Sequence, residues 1–177
     1  MSYKRWLIIT AFLFGVGLVV GLATPATTAN VLSEDIVSLL APFPKSSALV
    51  VIFIKNVLAL IISFALSPFF CLMPVLALTV NGWLIGLVST MVIQEKSFGY
   101  LLAGLLPHGV FELPAFIMGE AVALSFGTAV ILAILIKERR NLLLPNLRQN
   151  SRYFTVALIL LLPAAIVETY VTPLFLD

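Results

Sequence analysis

The sequence has little charge: of 177 residues only 10% are Asp, Glu, Lys or Arg. A soluble domain carries about 25% charged residues to keep its surface in water, so this chain cannot coat a globular surface. It has one cysteine, Cys71, which excludes an intrachain disulfide framework. It has one histidine, where a zinc hydrolase draws three or more protein ligands, usually with several histidines; an intramembrane metalloprotease would have to build its site from two chains. Walker, dinucleotide-binding and Gly-x-Ser-x-Gly patterns are also missing, and no nucleophile setting accompanies the histidine. The basic residues form no long run, which argues against nucleic-acid binding.

What remains is apolar. Hydrophobic residues make up 62% of the chain and the mean hydropathy is +1.17. Apolar runs long enough to cross a hydrocarbon core of about 30 Å recur along it. The alternating ten-residue segments of a membrane barrel do not occur. The expected fold is therefore all-α: a polytopic helical membrane protein, residues 1–177 forming one transmembrane domain with about five spans plus a re-entrant half-helix.

The first run, Trp6 to Ala23, follows Lys4 and Arg5. It is longer than the apolar region of about 7–15 residues in a secretory signal, so a retained span is favoured over cleavage near Ala29. Residues 24–47 read as an external loop in which Ser33-Glu34-Asp35 opens a short amphipathic helix at the interface. A second span, Ala48 to Leu66, ends at Ser67-Pro68, and a third runs from Leu72 to Ile93. Between Phe98 and Ile136 the run is too long for one upright span. Pro107-His108-Gly109 predicts a break there, with a half-helix from Phe98 to Leu106 entering the membrane and a long helix leaving it. Residues 137–152 form a polar connector, and a last span runs from Tyr153 to Val171.

Lys and Arg concentrate in cytoplasmic loops. Lys137, Arg139, Arg140, Arg148 and Arg152 place the connector inside, and Lys4 and Arg5 place the N-terminus there too. The number of crossings between them is then even, so residues 98–136 cross only once. The C-terminus falls outside after five spans.

Ionisable groups inside a span cost about 2.5–3.5 kcal/mol or more and mark function or paired burial. Four stand out: His108, Glu112, Glu120 and Glu168. On a regular helix His108, Gly119, Ala123, Gly127 and Glu120 all project within roughly 80° of Glu112 around the axis. One helix face thus carries carboxylates and a small-residue stripe that admits a close neighbour. The set reads either as an internal polar site or as a buried group satisfying the backbone freed at Pro107 to Gly109. Lys55 either pairs with one of the glutamates or extends to the interface. Asn81, Gly82 and Gly86 predict a tight helix crossing, with the amide bonding across it. Leu105-Leu106-Pro107 precedes Glu112 by the same offset as Leu161-Leu162-Pro163 precedes Glu168, the pattern of two proline-interrupted segments each presenting a carboxylate.

The stretch LLPHGVFELPAFIMGEAVALSFG, Leu105 to Gly127, resembles the signature of the stage II sporulation protein M family. FIKNVLALIISF, NGWLIG and LPAAIVETYVTP extend the resemblance over residues from about 50 to 173. The resemblance implies a multi-pass membrane protein. In spore formers the family member joins two partners, one a cell-wall hydrolase, in a complex that remodels septal peptidoglycan; the family also occurs in bacteria and archaea that form no spores. By matching position His108, Glu112, Pro114 and Glu168 are the signature residues, with Asn56, Asn81 and Gly82 next, and Pro107 and Gly109 fall within the same motif.

Three functions fit these residues. The first is a non-enzymatic scaffold in the bilayer, a homo-oligomer that recruits other membrane proteins and uses no cofactor or metal. The second is a small transporter or channel whose Glu112, Glu120 and Glu168 line a proton or cation pathway. The third is an enzyme with a metal shared by His108 and Glu112 across a dimer.

Overall fold

The computed structural model describes residues 3–25 and 45–176; the expected interfacial helix after Ser33, the cleavage point near Ala29 and Asp177 lie outside them. Among the described residues five helices are long and apolar enough to cross a membrane: α1 (Tyr3–Leu22), α2 (Lys45–Leu66), α3 (Leu72–Glu95), α4 (Phe98–Leu135) and α5 (Leu143–Tyr170). Short 3₁₀ turns, Lys137–Leu142 and Thr172–Phe175, follow α4 and α5. No strand occurs among the described residues. Such helices suit a bilayer, because each satisfies its own backbone groups where water cannot.

Two expectations are corrected. Phe98 to Leu135 is one helix, with Pro107 and Pro114 inside it, and no separate half-helix or re-entrant turn forms at Pro107-His108-Gly109. A proline removes one backbone hydrogen bond, whereas breaking the helix in hydrocarbon would leave several donors and acceptors unpaired. At 1.5 Å per residue α4 is roughly 57 Å long, well beyond the hydrocarbon thickness. The polar connector is also helical: α5 begins at Leu143, some ten residues before the apolar run. A helix need not stop at the membrane edge when Arg148 and Arg152 stay exposed and Asn150 is buried against α4.

Helix α4 is central and touches all four others. Helix α2 runs parallel to it, since Asn56 meets Glu112 and Ser63 meets Glu120. Helix α5 runs antiparallel, with Asn150 bonded to Ser125 and Thr172 beside His108. Helices α1 and α3 lie parallel to each other along a glycine seam. A Cβ on Gly17 or Gly21 would strike the backbone of Thr79 or Trp83, and one on Gly82 or Gly86 the backbone of Phe14 or Leu18. Trp6, Ser125, Arg139 and Asn146 line one cavity, so the start of α1 and the turn after α4 sit at the same end of the bundle. That fits a single crossing by residues 98–136.

Between α2 and α3 the chain turns within Ser67 to Cys71. Phe70 and Cys71 both take positive φ, 54° and 55°, and the Ser67 hydroxyl donates to the Phe64 carbonyl at 2.8 Å. The apolar core packs in two clusters. One gathers Trp6, Leu78, Ala121, Val122 and Leu124, and the other Leu60, Ala115, Ala157 and Leu161.

Candidate functional site

The face of α4 deduced from the helical repeat is the face that docks α2. Gly119 lies under Leu60, whose methyl carbons would sit 2.8 Å from an added Cβ. Gly127 lies against the Ser67 carbonyl in the same way, and Ala123 between them is buried. Two polar rungs cross this seam. The Asn56 amide Nδ2 donates to Glu112 Oε1 at 3.1 Å, and the Ser63 hydroxyl donates to Glu120 Oε2 at 2.6 Å.

At the Asn56–Glu112 rung, a turn of α4 and the end of α5 bring three of the four singled-out residues together. One ligand atom each of His108, Glu112 and Glu168 falls within 4.8 Å of the others. His108 Nε2 is 3.8 Å from Glu112 Oε2, and His108 Nδ1 lies 3.4 Å from the Thr172 hydroxyl. His108, Glu112 and Glu168, with Asn56, Asn81 and Gly109, line a cavity of about 290 Å³. Its inward end is apolar: Leu60 and Leu161, each 2% exposed, and Phe116 lie one or two turns below the polar groups. Because α4 and α5 are antiparallel, Pro107 and Pro163 fall on opposite sides of the Glu112–Glu168 pair.

Glu120 stands apart. It is 1% exposed, it does not line the cavity, and among the described residues its second carboxylate oxygen, Oε1, has no hydrogen-bond partner. Lys55 is exposed, and among the described residues the ion pair formed by a glutamate here is with His108 rather than with it. The Asn81 side chain does not bond across the crossing as expected; its Nδ2 donates to the Ala77 carbonyl of its own helix at 2.7 Å. Gly82 and Gly86 do form the tight crossing. Pro114 is exposed on the far side of α4.

Sequence reasoning missed several partners. Thr172 and Ser63 are small hydroxyl residues in apolar runs, unremarkable until the helices are placed side by side. The Ser125–Asn146–Asn150 cluster falls partly in the expected connector: both amides donate to Ser125 Oγ, at 3.2 and 2.9 Å. Gly17-xxx-Gly21 did carry a signal, because its spacing repeats in Gly82-xxx-Gly86 and small residues four apart favour close helix approach. The stacked pair Tyr3–Tyr153, with ring centroids 3.8 Å apart, had no signal in the sequence.

Histidine with two carboxylates, all from one chain, is a donor set that can hold a divalent ion. Counting histidines alone points to a metal shared between two chains and leaves out Glu168, which α5 brings to α4.

The chain is 28% identical over 174 residues to an uncharacterized protein of Methanocaldococcus jannaschii, covering 94% of this chain and 93% of that one. No solved structure matches it. The family model described as stage II sporulation protein M matches residues 10–173, a stretch that takes in the α1–α3 seam, both polar rungs and the His108–Glu112–Glu168 cluster, and the chain belongs to that family of multi-pass membrane proteins.

Proposed function

We propose that the protein is a non-enzymatic scaffold of the cell membrane that recruits other membrane proteins and self-associates, with its N-terminus cytoplasmic and its C-terminus external. The observation that carries this reading is how the interior polar side chains are used. Asn56–Glu112, Ser63–Glu120, His108–Thr172 and Asn150–Ser125 each join two elements of the bundle. They act as cross-links that hold α2, α4, α5 and the tail in register. Such bonds are worth about 0.5–2 kcal/mol each in membranes, and they fix the shape of the outer surface, where large apolar side chains such as Ile8, Phe12, Phe70 and Leu144 are open to lipid or a partner. In spore formers the septal remodelling complex implied by the resemblance is an assembly of this kind.

A continuous transport path draws less support. Glu120 is walled off from the cavity that His108, Glu112 and Glu168 share, with Leu60 buried between.

The test replaces Glu112. Gln keeps a carbonyl oxygen for the Asn56 amide, whereas Leu leaves that amide unpaired in the bundle. Glu112→Gln is expected to preserve the assembly captured from native membranes by an affinity-tagged chain, and Glu112→Leu to reduce its yield severalfold. Equal yields from wild type and Glu112→Leu would refute the reading.

A further inference from the structure

The geometry points to a divalent transition-metal site in the cavity at the Asn56–Glu112 rung, with His108, Glu112 and Glu168 as its ligands and the zinc-like ions as its class. This does not rest on the scaffold reading; it concerns what the cavity holds.

Four observations converge. The three donors come from two helices, α4 and α5, and all lie within 4.8 Å of one another. Some point lies within about 2.8 Å of all three donors so spaced, and zinc bonds of ~2.0–2.2 Å require only a small side-chain closure. The contacts among them leave room for an ion: at 3.8 Å the His108–Glu112 pair is too long for a hydrogen bond.

The surrounding groups orient the donors. Thr172 engages His108 Nδ1, which leaves Nε2 facing Glu112 Oε2. Asn56 holds the other oxygen of Glu112. A hydrogen bond to the far nitrogen of a ligating histidine and one to a ligating carboxylate are the usual supports of a metal centre.

Charge balance argues the same way. Two carboxylates share this cavity inside a membrane bundle, and Lys55, the cation that acts on both of them, is exposed and does not line it. A bound dication would neutralise the pair. The cavity, about 290 Å³, also leaves space for water in the remaining coordination positions. One imidazole and two carboxylates suit zinc or manganese better than calcium or magnesium, which favour all-oxygen shells.

The test uses the full chain in nanodiscs, stripped by chelator and titrated with Zn²⁺ by calorimetry. One ion is expected to bind per chain. Affinity should fall at least tenfold in His108→Gln and in Glu168→Gln, and about 10–100-fold in Asn56→Ala. Glu120→Gln, outside the cavity, should bind as wild type does. Absence of saturable binding in the wild type, or binding unchanged by both ligand substitutions, would overturn the site. Should those variants fail to fold, Co²⁺ added to the wild-type chain decides: visible d–d absorption that Zn²⁺ displaces at one equivalent supports the site, and its absence overturns it.

Discussion

At the scale of single residues, two glutamates eight positions apart on one helix have different surroundings. Glu112 has an amide partner, a nearby imidazole and an open cavity. Glu120 has one hydroxyl partner and an oxygen with none among the described residues. A buried acidic group that is only half satisfied is poor support for stability, and apolar residues of similar volume replace such groups at little cost or with gain. Glu120→Met is therefore expected to leave the thermal unfolding temperature in detergent unchanged or raised. Ser63 can turn its hydroxyl to a carbonyl of its own helix, as serines in helices do. Glu112→Leu should lower the same temperature, because the Asn56 amide loses its acceptor.

At the scale of elements, the bundle depends on close approach. The α1–α3 seam has no room for a side chain at Gly17, Gly21, Gly82 or Gly86, so the two helices cannot relax by moving one flexible group. Gly86→Ala should cost about 1–3 kcal/mol, the usual range for overpacking. Gly15→Ala, where nothing lies within 4 Å, should be neutral or stabilise by up to about 1 kcal/mol through helix propensity. Unfolding of both variants in detergent checks the contrast.

The same elements show what could be read from the sequence. Apolar run length located the five spans, though not the unbroken length of α4 or the start of α5, and the helical repeat found the face of α4 that meets α2, since both depend on local periodicity alone. The residues Pro107, His108 and Gly109 misled, because a break looks cheap from side-chain propensities and is expensive once the solvent is hydrocarbon. The joining of Glu168 to His108 and Glu112 needed the antiparallel packing of α4 and α5. The matched Leu-Leu-Pro offsets hinted at paired carboxylates without showing that they meet.

At the scale of the molecule, α1, α3 and α5 run one way and α2 and α4 the other, so each helix crosses once and the turn after α4 lies at the same end as the start of α1. The basic residues of that end set the orientation proposed above. In a Cys71→Ser background, a membrane-impermeant maleimide applied to right-side-out vesicles should label Lys96→Cys, in the turn between α3 and α4, and should reach Asn141→Cys only after permeabilisation. The reverse pattern would contradict the orientation, and equal labelling of both would contradict a single crossing by α4.

On the proposed scaffold reading, the polar interior joins helices and does not conduct. The most direct test of that reading is proton and monovalent-cation flux in proteoliposomes containing the purified chain. Flux equal to that of empty vesicles is expected for wild type. Flux above that level, abolished by Glu112→Gln or Glu168→Gln, would contradict the reading.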